Sequence, residues 1–170
     1  QTNCLPYKKI IVKPIYGAGS HEVFLIENKC KINQKKSIIF QKFYDGLKGS
    51  FLMLCKNGLT KVLCCNKQII RIEKGKIIQI GCIIGGLENH RCEIEILAKK
   101  ICDKFKGLFG IIGVDIVRFN NKWLILEINP RFTSSYCGLN KSYSRKTVQE
   151  VTKFYINKRL NDFKPKLLKS

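Results

Sequence analysis

Three oxygen-bearing side chains, Asp115, Glu127 and Asn129, lie in two apolar runs, Gly113 to Phe119 and Trp123 to Asn129, around Asn120-Asn121-Lys122. The runs read as a β-hairpin. With a three-residue turn, Phe119 faces Trp123 and Asp115 faces Glu127. Asn129 follows on the same face, and Val117 and Ile125 fill that face. A turn of two residues would instead set the carboxylates on opposite faces. Burying two carboxylates without a partner costs several kcal/mol. A hard divalent cation such as Mg²⁺ removes that cost, because it takes few protein carboxylates and completes its shell with phosphate oxygens. The competing reading pairs Asp115 with Arg118 or a Lys at the sheet rim and leaves Glu127 exposed.

Three further segments have suitable residue types. In Lys13-Pro14-Ile15-Tyr16-Gly17-Ala18-Gly19-Ser20, a Lys at a strand end precedes small residues that let backbone N–H groups approach a phosphate. The same loop also reads as a plain turn. Gln41-Lys42-Phe43-Tyr44-Asp45-Gly46 ends an apolar strand with aromatics and an acid, which offers ring faces and backbone groups to a purine or else simply fills a core. After Asn129 comes Pro130-Arg131-Phe132-Thr133-Ser134-Ser135-Tyr136, where Arg131 can stabilise charge on a transferring phosphoryl group and the hydroxyls can position a substrate. The bland reading of that stretch is a polar loop.

The elements that must hold these residues follow from periodicity. Lys9 to Val12, Val23 to Ile26 and Ser37 to Phe43 read as strands. Ser50 to Cys55 and Leu59 to Cys65 flank Lys56-Asn57-Gly58, and Gln68 to Ile72 and Lys76 to Ile84 flank Glu73-Lys74-Gly75. The middle is thus an antiparallel meander. Ile94, Leu97, Ile101 and Phe105 recur at helical spacing within Glu93 to Phe105, with Gly107 and Gly110 as stop signals. Lys146 to Leu160 carries Val148, Val151, Tyr155 and Leu160 on a second stripe, and Asn161 to Ser170 reads as a solvated basic tail. The fold class is α+β with an antiparallel sheet. Neither G-x-G-x-x-G nor G-K-[ST] occurs.

The 170 residues, 45% of them apolar, suffice for about one domain with a real core, which excludes a disordered chain. The formal charge of +20 suggests a polyanion partner. However, the basic residues are 26 Lys and 6 Arg beside 24 Ile and 12 Asn, the signature of AT-rich coding, so nucleic acid is not expected as a partner. The nine Cys contain no C-x-x-C pair and several sit in apolar runs, as reduced thiols of a cytoplasmic protein do. No stretch has the ~18 apolar residues that span a bilayer, and no secretory leader is evident, so no membrane partner is expected.

The order of these motifs resembles the ATP-grasp superfamily of carboxylate-amine ligases: Lys13 with its glycine loop, the aromatic strand ending at Asp45-Gly46, Gly113-Val114-Asp115, then Glu127-Ile128-Asn129-Pro130-Arg131. The match runs from about Pro6 to Leu139. Within that superfamily, Glu127 to Leu139 is most similar to the tyramine-glutamate ligases of methanofuran biosynthesis and their relatives in one-carbon metabolism. The resemblance implies an ATP-grasp core over 1–143, with a C-terminal helix and basic tail over 144–170. It implies ATP between two α+β lobes, with Lys13, Gly17, Ala18, Gly19 and Ser20 at the phosphates and Gln41, Lys42, Phe43, Tyr44 and Asp45 at the adenosine. It further implies Mg²⁺, or Mn²⁺, on Asp115, Glu127 and Asn129, with Arg131 and Lys13 as catalytic cations.

In such enzymes ATP phosphorylates a small carboxylate, and an amine attacks the acylphosphate to give an amide. An ATP-grasp carboxylase or carbamoyl-type enzyme, and a decayed basic binding module, are the alternatives. The sequence departs from the family in two ways. It begins at Gln1, almost at the glycine loop, and so reads as a C-terminal portion lacking the N-terminal pre-ATP-grasp domain, or as a split version. Lys48 also stands where several relatives place a ribose-binding Glu, leaving Asp45 for that contact. A homodimer or a separate N-terminal domain is the expected protein partner.

Overall fold

A computed structural model of the chain describes residues 7–17, 22–27 and 37–168. Its elements are β1 (Lys9–Pro14), β2 (Phe24–Glu27), β3 (Ile38–Lys42), β4 (Leu47–Lys56), β5 (Leu59–Glu73), β6 (Lys76–Ile83), α1 (Arg91–Lys104), β7 (Gly110–Phe119), β8 (Lys122–Asn129), α2 (Ser135–Ser142) and α3 (Arg145–Asn157). A 3-10 turn at Glu88–His90 leads into α1. The arrangement is α+β with antiparallel pairing, as the sequence implies. It divides into two compact units: the described residues up to Asp45 with Ile69–Gly81, and Gly46–Gln68 with the residues from Cys82 onward.

In the first unit the strand order is β3-β1-β2-β6, followed by the second half of β5. β1 is central to its neighbours, with Ile10 opposite both Ile26 and Lys42, and Ile10 is buried. The β5–β6 connection is a two-residue turn, Lys74-Gly75, with both φ positive (47° and 79°), rather than the three residues expected. Its glycine is required by close approach as well as by φ, since a Cβ there would stand 3.0 Å from the Leu25 carbonyl oxygen.

In the second unit the order is β5 (first half)-β4-β7-β8. β4 and β7 are buried on both faces, which is why each reads as a near-continuous apolar run. One face carries Phe51, Met53, Cys55, Val62, Ile112, Val114 and Ile116 beneath Ile94, Ala98, Ile101 and Cys102 of α1. The other carries Leu52, Leu54, Leu63 and Ile111 with Leu139, Tyr143, Val151, Phe154 and Phe163. Cys55, Cys64, Cys65 and Cys102 are buried free thiols, in keeping with the small-hydrophobe reading. Burial pushes the Cys64 thiol up to about 12.

Several expectations are corrected. Leu59–Glu73 is one strand of 15 residues rather than two. α1 ends at Lys104, so Phe105 is exposed, and Ala98 and Cys102 complete the buried stripe. α3 buries Thr147, Glu150 and Phe154 besides Val151, while Leu160 lies beyond its end. The hydroxyl-rich stretch after Arg131 is not all loop, because Ser135 begins α2. The tail is not simply solvated either. Phe163 is buried, Ser144 N–H donates to the Lys166 carbonyl at 2.9 Å, and Tyr143 bridges to Leu167.

Candidate functional site

The carboxylate pairing expected from a three-residue turn is present, but it arises differently. The β7–β8 turn has two residues, Asn120 and Asn121, with φ of 48° and 57°, and Phe119 pairs with Lys122. Continued as a plain ladder, that turn would set Asp115 opposite Leu126 and turn Glu127 to the other face. A β-bulge intervenes: Ile116 pairs with Ile125, Asp115 pairs with Glu127, and Leu126 is the extra residue. Glu127 therefore faces Asp115, and Asn129 follows on the same face opposite Gly113. The two-residue turn itself puts Ile125 on the opposite face, so Leu124 rather than Ile125 stands beside Val117.

Local contacts set the electrostatics. The Gln68 amide donates to Asp115 Oδ1 at 2.6 Å, and Asn129 Nδ2 donates to Asp115 Oδ2 at 3.2 Å. Arg131 Nη2 donates to Asn129 Oδ1 at 3.2 Å, and its Nη1 donates to the Phe132 carbonyl at 3.2 Å. A chain of polar contacts thus runs from Arg131 through Asn129 to Asp115. On β4, Ser50 is the cross-strand neighbour of Asp115. Burial pushes the nearby Cys82 thiol up, and the charge of Asp115 adds to that rise.

Gly113 lets the loop after β8 return across β7, because a Cβ there would run into Thr133 Cγ2 and stand 3.0 Å from Thr133 Oγ1. Thr133 Oγ1 lies 3.0 Å from Ser135 Oγ, and the Thr133 carbonyl accepts from Tyr136 N–H at 3.0 Å, which starts α2.

The donor chemistry suits Mg²⁺ or Mn²⁺. Asp115, Glu127 and the amide of Asn129 offer hard oxygen donors from one face, and Asn129 already touches Asp115 through its Nδ2. Among the described residues no three His, Cys, Asp or Glu side chains form a metal cluster, so an ion here would rest on two carboxylates and an amide, leaving room for phosphate oxygens.

In the first unit, Lys13 lies in β1 opposite Ile39, and Gln41 lies in β3 opposite Ile11, which puts Lys13 and Gln41 on one face. Lys42 pairs with Ile10 and points to the other face, its ammonium 5.0 Å from the ring centres of both Tyr7 and Tyr44. Phe43 N–H donates to the Lys9 carbonyl at 3.2 Å, and Tyr44 and exposed Asp45 follow the strand. Gly17 is exposed, and a Cβ there would stand 3.1 Å from Pro14 Cγ. Ala18, Gly19 and Ser20 lie outside the described residues.

The ATP-grasp domain family matches residues 3–135. The chain belongs to the ATP-grasp family. The tyramine--L-glutamate ligase of Methanocaldococcus jannaschii is 29% identical over 144 residues, covering 82% of this chain and 41% of the relative. That of Methanocaldococcus fervens is 32% identical over 136 residues, covering 78% and 40%. The chain therefore spans about two fifths of the length of these curated relatives.

Among solved structures, the N5-carboxyaminoimidazole synthetase of Staphylococcus aureus complexed with ADP aligns with a TM-score of 0.73 at 16% identity, over 97% of this chain and 45% of that one. An ATP-grasp superfamily protein from Archaeoglobus fulgidus aligns at 0.68 and 22% identity, over 87% and 44%. These structures show the same fold.

Against this ATP-grasp frame, one site neighbour escaped sequence reasoning. Gln68 looks like an ordinary polar residue in an alternating strand, and its contact with Asp115 depends on the lateral order β5-β4-β7. Among the described residues no helix is long and apolar enough to cross a membrane.

Proposed function

We propose that this ATP-grasp chain serves an ATP- and Mg²⁺-dependent ligase that joins a small carboxylate to an amine through an acylphosphate. The observation that carries the reading is the hairpin face, where Asp115, Glu127 and Asn129 are aligned by the β8 bulge and followed directly by Arg131. The two curated relatives, both tyramine--L-glutamate ligases, support the amide-forming class, with glutamate and tyramine as the first substrates to try.

In this reading Asp115, Glu127 and Asn129 hold Mg²⁺, which would neutralise phosphate charge. Asn129 would contribute its Oδ1, the oxygen that now accepts from Arg131. Arg131, released from the same Oδ1, faces the phosphoryl group as it moves to the substrate carboxylate. Lys13 and the segment from Gly17 to Ser20 meet the phosphates. The strand end from Gln41 to Asp45 receives the adenosine, with backbone groups rather than the Lys42 side chain as the contacts. Positioning and charge neutralisation are what the reaction needs, since the amine itself is the nucleophile.

The test begins with thermal unfolding. A ligand at about a hundredfold its Kd stabilises the native state by about 2.7 kcal/mol, so ATP with Mg²⁺ should raise Tm by roughly 5–10 °C in a chain of this size. Asp115→Asn combined with Glu127→Gln should abolish the shift. ADP release that requires both glutamate and tyramine identifies the ligase, whereas bicarbonate-dependent release identifies a carboxylase. No shift with any nucleotide, alongside salt-sensitive DNA binding, overturns the proposal in favour of a basic binding module.

A further inference from the structure

Away from the hairpin face, the interior of the second unit holds two thiols that the proposed reaction does not use. Cys55, near the end of β4, and Cys102, on the inner face of α1, are 0% and 1% exposed, and their sulfurs stand 2.9 Å apart. Both are free. The contact joins positions 47 apart in sequence and links strand to helix, so a bond there would fasten α1 to the sheet. The sulfurs already touch, so only a short gap separates the contact from a bond.

The pair is also approachable from one side. Thr60 Oγ1 lies 3.8 Å from Cys55 Sγ and 3.4 Å from Met53 Sδ. Thr60 in turn lines an open cleft of about 310 Å³ together with Lys61, Glu95 and Lys99. The cleft thus borders a residue that is in contact with Cys55. Burial pushes the Cys55 thiol up, which slows its reaction with any oxidant, peroxide included, so the bond forms slowly.

We propose that Cys55 and Cys102 form an intramolecular disulfide when the protein meets a small peroxide. In the first step the Cys55 sulfur takes one oxygen from hydrogen peroxide. The O–O bond breaks, one water leaves, and a sulfenic acid remains. In the second the Cys102 sulfur displaces that oxygen, forming the S–S bond and releasing a second water. Two thiols are oxidised to one disulfide, and one peroxide is reduced to two waters.

The full chain carrying Cys92→Ser and Cys137→Ser, which removes the two thiols that are exposed among the described residues, together with Cys4→Ser and Cys30→Ser, is treated with hydrogen peroxide, alkylated after unfolding and digested without reduction. The expected product is a single cross-linked peptide pair containing Cys55 and Cys102. It is accompanied by a rise in Tm of roughly 5 °C that dithiothreitol reverses. Cys102→Ala in the same background should lose both signals, and Cys55→Ala serves as the control if that variant does not fold. Full alkylation of Cys55 and Cys102 after peroxide treatment overturns the proposal. A cross-link to Cys64 or Cys65 instead, or a Tm rise that survives Cys102→Ala, does the same.

Discussion

Glu88 fastens three elements of the second unit, and removing it should cost far more than removing a surface acid. Its Oε1 accepts from the Cys65 backbone N–H at 2.9 Å, from Arg91 Nη2 at 3.0 Å and from the Tyr143 hydroxyl. Its Oε2 accepts from Arg91 Nε at 2.6 Å. Arg91 in turn donates to the Val62 and Leu63 carbonyls at 3.0 and 3.3 Å, beside the irregularity in the β4–β5 register. Tyr143 is fully buried, and burial together with the neighbouring Glu88 pushes its hydroxyl far above the usual range, so it remains a donor.

Glu88→Ala leaves the Cys65 N–H and the Tyr143 O–H without this acceptor, each worth about 1–3 kcal/mol. Loss of the Arg91 pair adds to this, because both side chains are only about one-fifth exposed, while the Val62 and Leu63 carbonyls still accept from the guanidinium. The expected loss is about 3–4 kcal/mol, or a fall in Tm of about 10 °C. Tyr143→Phe alone should cost about 1–2 kcal/mol. The double variant should cost less than the sum, since Phe leaves no orphaned hydroxyl. Urea unfolding of the four proteins measures this. A Glu88→Ala loss no larger than that of Glu95→Ala, which removes a half-exposed carboxylate 3.3 Å from Arg91, would refute the reasoning, and so would strict additivity.

Three other outcomes are expected. Gly113→Ala drives a methyl group into Thr133 and should cost about 1–3 kcal/mol, and Thr133→Ser, which deletes the obstructing Cγ2, should restore part of the loss in thermal unfolding. The Glu150 carboxyl is held below its usual range first by Asn161 and then by Lys153, so its contribution is present above the unfolded carboxylate pKa and is lost as pH falls through the lower folded value. Glu150→Gln should therefore be less stable than the parent near neutral pH, with the gap closing in acid-titrated urea melts. Phe163→Ala should cost about 2–4 kcal/mol and speed hydrogen exchange at the Ser144 amide, whereas a solvated tail would show neither change.

The readable and unreadable parts of the fold separate along physical lines. Asn57-Gly58 and the apolar runs on either side announce a hairpin because few residues tolerate two positive φ values in succession. β5 read as two strands because Asn66 and Lys67 interrupt its apolar pattern, yet Asn66 is fully buried with its Oδ1 accepting from Gly85 N–H at 3.2 Å. α2 was hidden because it buries only Ser135 and Leu139, and because Gly138, a poor helix former, is there to let Ile84 approach: a Cβ would stand 2.6 Å from Ile84 Cγ1. The tail buries one aromatic residue, Phe163, among charged neighbours and is otherwise held by backbone pairing at Lys166 and Leu167, neither of which a periodicity can announce.

The carboxylate pair teaches something sharper, because its pairing was legible while its cause was not. Facing across a hairpin depends on how many residues fall out of the ladder between two positions, and both the expected route and the observed one leave out three. The expected route spends all three in the turn, as Asn120, Asn121 and Lys122. The molecule uses two in a tight turn and one at Leu126, next to Glu127. Spacing in sequence is blind to that distinction, since it fixes only the sum. The placement still has consequences for the site. A bulge bends and twists its strand locally, so Glu127 and Asn129 are carried past a kink that the turn-only route would not supply. Gly113, paired with Asn129 just beyond that kink, carries no side chain, and Thr133 occupies the space a Cβ would need. The irregular strand, the missing side chain and the returning loop are thus one arrangement, which brings Arg131 back onto Asn129 within two residues of the strand end.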